Sequence, residues 1–201
     1  MTPSYPALLE RASAITRSPR AVLGIAGAPG AGKSTLAGRL AADLGVPVVP
    51  MDGFHLRTAL LAERGLLEVK GAPDTFDVRG YVKLLRRLRA GGDVSAPAFD
   101  RAIDEPVEGA VAVRAADSLV ITEGNYLLLA DGDWAGVRPL LDECWFVEVD
   151  EARRRERLIA RHVEFGRTPA EAVERVAVGS DAANATLIAT TRGWADLVVG
   201  D

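Results

Sequence analysis

The apolar run Ala21-Val22-Leu23-Gly24-Ile25-Ala26 passes directly into Gly27-Ala28-Pro29-Gly30-Ala31-Gly32-Lys33-Ser34, followed by Thr35 and leucines at 36, 40 and 44. This is the spacing of a phosphate-binding loop set between a buried strand and a helix. The glycines let the backbone bend tightly and bring consecutive N–H groups, and the helix N-terminus behind them, within hydrogen-bond reach of a polyphosphate. Lys33 can then reach the β- and γ-phosphates, and the Ser34 hydroxyl can ligate Mg²⁺. A nucleoside triphosphate is the first ligand expected, with Gly27 to Thr35 as its binding segment. A strand that ends in such a loop also needs parallel neighbours covered on both faces.

Those neighbours are legible. Val22–Ala26, Leu119–Thr122, Trp145–Val149 and Leu197–Val199 are almost wholly apolar, with a weaker fifth run at Val46–Met51. Lacking the alternation of a half-exposed strand, they read as parallel strands buried on both faces. Helical patterns lie between them, as in Leu84, Leu85 and Leu88 behind Tyr81, and strand alternating with helix means an α/β sandwich. Gly91–Val113 is rich in Gly, Pro and Asp and predicts a loop or small hairpin over the sheet edge. The 201 residues fit one domain, 1–201, with no repeat and no internal boundary.

Composition narrows the classes. One cysteine, Cys144, leaves no internal disulfide, and the polar, proline-bearing start before Arg20 lacks the apolar core of a secretion signal. No apolar run approaches the roughly 18 residues of a membrane helix, so the expectation is a cytoplasmic chain without a membrane partner. The formal charge of −4 does not suit a nucleic-acid binder, which disfavours a polynucleotide kinase. Lysine is scarce, with only Lys33, Lys70 and Lys83 against 21 arginines.

Ligands of an open parallel sheet sit at the carboxyl ends of its strands. There stand Asp52-Gly53-Phe54-His55 after the second strand and Glu123-Gly124-Asn125 after the Leu119 strand. Transfer of a γ-phosphoryl group to an alcohol needs Mg²⁺, an in-line hydroxyl and a group that takes its proton. Glu123 stands where a carboxylate holds the metal, with Ser34, and Asp52 stands where a base is wanted. Each has a bland alternative as a turn or cap residue. His55, near Asp52, is either a substrate contact or an ordinary polar contact. Lys70, in the broken segment Lys70–Asp77, belongs either to a functional loop or to a connector. Asp100-Arg101 either binds a hydroxylated anion or pairs internally.

Arg154, Arg157 and Arg161 fall at i, i+3 and i+7, one face of a helix, where like charges repel unless neutralised. Glu156 and Glu164 could neutralise them on a solvated helix. A triphosphate could do so in a lid over about 151–180, with Arg154 and Arg157 on the nucleotide and Arg161 serving the transition state. A GTPase is disfavoured, because the two asparagines, Asn125 and Asn184, precede Tyr and Ala rather than the Lys-x-Asp of guanine readers. A non-catalytic nucleotide-binding regulator is a second alternative, opposed by Lys33, Ser34, Asp52 and Glu123 standing together.

From Arg20 onward the chain resembles the phosphoribulokinase/uridine kinase family of P-loop kinases, which includes bacterial pantothenate kinase. The resemblance implies the P-loop NTPase fold, a three-layer sandwich with a five-stranded parallel sheet, ATP and Mg²⁺, and a small-molecule acceptor. It makes Asp52 of MDGFH the general base, Glu123 of ITEGNYLLL the magnesium-side carboxylate, and Arg154, Arg157 and Arg161 lid arginines. KGAPDTFD, 70–77, is similar to the pantothenate kinase branch. Ser180-Asp181 with Asn184-Ala185 is similar to a small bacterial nucleoside/nucleotide kinase-like branch, sometimes labelled fructose transport kinases, which brings Asn184 in as a substrate contact. A homodimer is one assembly the resemblance allows. The chain departs from pantothenate kinase in having little before the loop, and from uridine kinases in having His55 where they carry an aromatic residue. The acceptor therefore stays open among sugars, nucleosides and pantothenate-like acids.

Overall fold

The strands around the glycine-rich loop are buried on both faces, and that decides the layering. The structure is a computed structural model that describes residues 3–200. In chain order these form α1 (Tyr5–Ala14), β1 (Ala21–Ala26), α2 (Lys33–Leu44), β2 (Val48–Pro50), α3 (Thr58–Glu63), α4 (Val78–Ala90), β3 (Val94–Asp100), β4 (Glu105–Val113), β5 (Leu119–Gly124), β6 (Glu143–Glu148), α5 (Glu151–Glu164), α6 (Pro169–Val178), α7 (Ser180–Thr190) and β7 (Leu197–Gly200). The main sheet has the order β2-β5-β1-β6-β7, and every pairing in it is parallel.

Successive side chains of a strand point to opposite faces, and here they divide between two cores. Ala21, Leu23 and Ile25 of β1, Leu119 and Ile121 of β5, and Trp145 and Val147 of β6 pack with Leu8 and Ala12 of α1 and Ala37 and Leu40 of α2. Val22, Ala26, Val120, Cys144 and Phe146 pack on the other face with Tyr81, Leu84, Leu85 and Leu88 of α4. Each leucine so buried contributes about 2 kcal/mol of transfer free energy. The result is the three-layer P-loop NTPase sandwich. Among the described residues no helix is long and apolar enough to cross a membrane.

The five expected strands are present, with shifted ends. The weak fifth run shortens to β2, and Met51–Phe54 turns instead into a 3-10 helix. The run expected at 145–149 spans 143–148. Gly91–Val113 forms the antiparallel hairpin β3–β4. Helix α1 has no counterpart in the sequence reading, because Leu8 and Ala12 are its only buried positions.

Strand register brings the chemistry to one edge. Glu123 lies opposite Ile25 of β1 and Pro50 of β2, so the end of β5 stands between the phosphate loop and Asp52. The Thr122 hydroxyl donates to the Val49 carbonyl at 2.7 Å. Its single proton being used, Tyr81 must be the donor in the 2.7 Å Tyr81–Thr122 contact. This buried relay ties α4, β5 and β2 together immediately before Glu123 and Asp52.

Candidate active site

β1 ends at Ala26, and the chain wraps through Gly30 and Gly32 at φ +83° and +101°. Gly32 is the left-handed N-cap of α2, a conformation that a Cβ would strain. Lys33, the first helical residue, is buried, and its Nζ donates to the Ala28 carbonyl at 3.0 Å. Ser34 Oγ donates to Glu123 Oε1 at 3.0 Å, joining the loop to β5. Burial pushes the Lys33 ammonium below its ordinary pKa, with Glu123 and Asp52 opposing. Burial pushes the Glu123 carboxyl up, with Lys33 opposing. The two charges thus offset part of each other's desolvation.

Asp52 sits in the 3-10 turn after β2. The hairpin approaches that turn so closely that a Cβ on Gly53 would lie 2.4 Å from the Pro97 carbonyl oxygen. Arg101, past the end of β3, places Nη2 3.4 Å from Asp52 Oδ2. His55 Nδ1 donates to the Asp52 carbonyl at 2.9 Å, so the proton of a neutral His55 lies on Nδ1. Its ring packs at a tilt against Phe76 and Phe99, with centroids 4.1 and 4.8 Å away.

Lys70 closes the next wall. Its Nζ donates to Asp104 Oδ2 at 2.7 Å, to the Asp104 carbonyl at 2.8 Å and to Thr58 Oγ1 at 3.2 Å. Tyr126 Oη and Asn184 Nδ2 both donate to the Gly71 carbonyl, at 2.6 and 3.1 Å. Asn184 and Lys70 therefore line the cleft while making protein contacts that fix the 70–77 loop. The cleft holds about 570 Å³ and is lined by Lys33, Ser34, Asp52, His55, Arg101 and Glu123, among others. That volume is in the range of small-molecule sites.

Two expectations need correction. Asp100 does not line the cleft. It is exposed, and its Oδ1 accepts from the Ala102 N–H at 2.8 Å in the hairpin turn. The turn that begins at Arg101 takes the Asp100 carboxylate for its own backbone and turns Arg101 toward Asp52, so the two do not act as a pair. Arg154 is no free ligand for a triphosphate. It is buried, its Nε and Nη2 grip Glu151 at 2.7 and 2.8 Å, and its Nη1 donates to the Pro29 carbonyl at 3.1 Å. It braces the phosphate loop from behind, with Glu151 rather than Glu156 or Glu164 as its counter-charge. Arg157 is exposed and brings Nη1 within 3.6 Å of the Cβ position of Gly32. Arg161 faces the cleft. Burial, and Arg101 after it, depress its pKa, against the pull of Asp52, Asp181 and Glu123.

Further cleft residues come from the helical arm that follows. His162 Nε2 meets Asp181 Oδ2 at 2.7 Å, joining α5 to α7. Arg175 of α6 donates through Nη2 to the Lys70 carbonyl at 3.3 Å. The sequence around Arg175, Glu171-Ala172-Val173-Glu174-Arg175, reads as an ordinary amphipathic helix and gives no sign of a site. The capping box at Thr168 and Glu171 marks only where that helix starts.

No protein-family model matches the chain. It is 40% identical over 152 residues to the ATP-dependent kinase-like protein notR' of Aspergillus versicolor, covering 71% of this chain and 88% of that protein. It is 34% identical over 212 residues to a protein of Schizosaccharomyces pombe provisionally named uridine kinase C227.14, covering 98% and 90%. Among solved structures, one provisionally named a fructose transport system kinase, from Silicibacter sp. TM1040, superposes with a TM-score of 0.89 at 41% identity over 98% of both chains.

Proposed function

Since the chain belongs to the uridine kinase/pantothenate kinase-like family of P-loop kinases, we propose that it moves the γ-phosphoryl group of Mg-ATP to a hydroxyl of a small polar metabolite. The acceptor classes this reading admits are sugars, nucleosides and pantothenate-like acids. The observation that carries the reading is the convergence of Lys33, Ser34, Asp52 and Glu123, from three strand ends, on one cleft.

In this reading the acceptor O–H proton goes to Asp52, the oxygen bonds the γ-phosphorus, and the bond to the β-bridging oxygen breaks to leave ADP. Lys33 keeps two ammonium protons beyond the one held by Ala28, and these are free for phosphate oxygens. Arg101 orients the Asp52 carboxylate, and Arg161 faces the charge that builds on the transferred group. Ser34 Oγ and Glu123 Oε1 are hard oxygen donors already side by side, a pair that fits Mg²⁺, which takes one or two protein oxygens and completes its shell with phosphate and water. A Mg²⁺ ion held by Ser34 and Glu123 would supply neutralisation of phosphate charge there.

The test is ADP release from Mg-ATP against sugars, nucleosides and pantothenate, with Asp52→Asn as control. Acceptor-dependent release in the wild type that is lost in the variant supports the kinase reading. ATP binding without release by any acceptor favours the nucleotide-binding regulator.

A further inference from the structure

The cleft is positive on balance in a chain that is acidic overall. Six Lys and Arg line it against four Asp and Glu, although the chain as a whole has 28 acids to 24 bases. Most of these charges are accounted for. Arg101 faces Asp52, and Lys70 is bonded to Asp104. Lys33 and Arg161 both feel the fields of Asp52 and Glu123, at the transfer point.

Arg167 and Arg175 remain. Asp181 Oδ2 is engaged by His162 at 2.7 Å and stands 4.0 Å from Arg175 Nε, which is buried without a hydrogen-bond partner. Arg175 Nη2 is held on the Lys70 carbonyl, and Nη1 makes no hydrogen bond to the described residues. Arg167, in the α5–α6 connection, has no carboxylate within 4.0 Å among the described residues, although it lines the same cleft. A guanidinium braced on a loop carbonyl, sharing its one carboxylate with His162 and keeping an N–H edge free, in a cleft that a second guanidinium without a carboxylate also lines, suits a carboxylate or phosphate.

We propose that the acceptor is an anion, with its hydroxyl at Asp52 and a carboxylate or phosphate group held by Arg175 and Arg167. This rests on the kinase reading above and narrows it, because a neutral nucleoside or sugar offers no counter-charge to Arg167 and leaves Arg175 with only the Lys70 carbonyl and the Asp181 carboxylate that it shares with His162. Since Arg175 also binds the Lys70 carbonyl, the same contact couples the 70–77 loop to acceptor binding.

Matched acceptors test the proposal by ADP release: glycerate and glycerol phosphate against glycerol, gluconate against glucose, pantothenate against panthenol. An anionic member is expected to exceed its neutral partner at least about tenfold in kcat/KM. Arg175→Gln and Arg167→Gln are each expected to raise the acceptor KM about tenfold while the KM for ATP stays near wild type. Arg167 is exposed, so its variant decides the matter even where Arg175→Gln misfolds. A neutral acceptor used as well as its charged partner, or an unmoved acceptor KM in both variants, overturns the proposal and leaves the kinase intact. If no compound releases ADP, calorimetric titration of the same anions in the presence of a non-hydrolysable ATP analogue decides. Binding lost in both variants upholds the anion site, and no binding, or binding indifferent to the substitutions, overturns it.

Discussion

Arg101 Nη2 lies 3.4 Å from Asp52 Oδ2, which joins the tip of the antiparallel hairpin to the carboxyl edge of the parallel sheet. Both side chains stay partly exposed, at 45% and 29%, so the pair orients the carboxylate without sealing it. If Asp52 is the base, Asp52→Asn is expected to lower kcat by roughly 10²- to 10⁴-fold. Nucleotide affinity should stay near wild type. Arg101→Ala should cost less, because it removes orientation and leaves the proton acceptor. Steady-state kinetics with a separate nucleotide titration checks both, and an equal loss of ATP affinity in Asp52→Asn would assign the residue to loop structure.

Gly53 is where the hairpin and the Asp52 turn touch. A Cβ there would lie 2.4 Å from the Pro97 carbonyl oxygen and 2.6 Å from its carbon, both backbone atoms that cannot swing aside. Gly53→Ala is therefore expected to destabilise the fold by about 1–3 kcal/mol. It should also lower kcat by displacing Asp52 from Arg101. Thermal unfolding together with kinetics on the folded fraction separates the two effects. A variant with wild-type stability and turnover would show that the hairpin does not position Asp52.

The fold was legible wherever burial on both faces left a wholly apolar run, as in Val22–Ala26 and Leu119–Thr122, because such runs admit few other placements. Helix α1 was not legible, since two buried positions in ten residues hardly differ from a polar coil. In the site, the phosphate loop, Asp52 and Glu123 were readable because the end of a parallel strand is a place defined by topology. Asp100 misled because it is the last residue of β3 and its carboxylate is taken up by the Ala102 N–H of the turn that follows, while only Arg101 reaches the cleft. Arg154 was read as a ligand because helical spacing gives the face a residue is on and not what its guanidinium meets; the partners, Pro29 and Glu151, are a folded-state fact. Arg175 comes to the cleft through a contact with Lys70, 105 residues away, which no local pattern encodes. Arg20, fully buried and bonded to carbonyls of Leu88, Gly92, Arg114 and Asp117, was invisible for the same reason.

Arg154→Met tests the brace behind the phosphate loop. Methionine keeps much of the packing and removes the charged donor from the Pro29 carbonyl, while Glu151, 62% exposed, regains water. Hydrogen bonds to charged groups contribute about 1.5–3 kcal/mol. The expected outcome is a KM for ATP raised about tenfold with the acceptor KM little changed, read by steady-state kinetics with each substrate varied in turn. An unchanged KM for ATP would mean that the loop holds its shape without Arg154.

His55 supplies a pH dependence of stability whose sign is fixed by its surroundings. Burial lowers its pKa below the ordinary 6.5, and the repulsion of Lys70 adds to that, while Asp52 and Asp104 pull the other way. Since the folded state disfavours the imidazolium, the stability that neutral His55 allows is complete above the unfolded pKa of about 6.5. It is lost as pH falls from there toward the folded pKa, with a slope of at most about 1.4 kcal/mol per pH unit. His55→Asn keeps a side-chain N–H for the Asp52 carbonyl and removes the titration. Unfolding midpoints at pH 7.5 and pH 5.5 are expected to fall further in the wild type than in the variant. Titrating groups distant from His55 cancel in that comparison. Equal falls in the two proteins would show that His55 takes up its proton as readily folded as unfolded, and that packing against Phe76 and Phe99 does not exclude the charged ring.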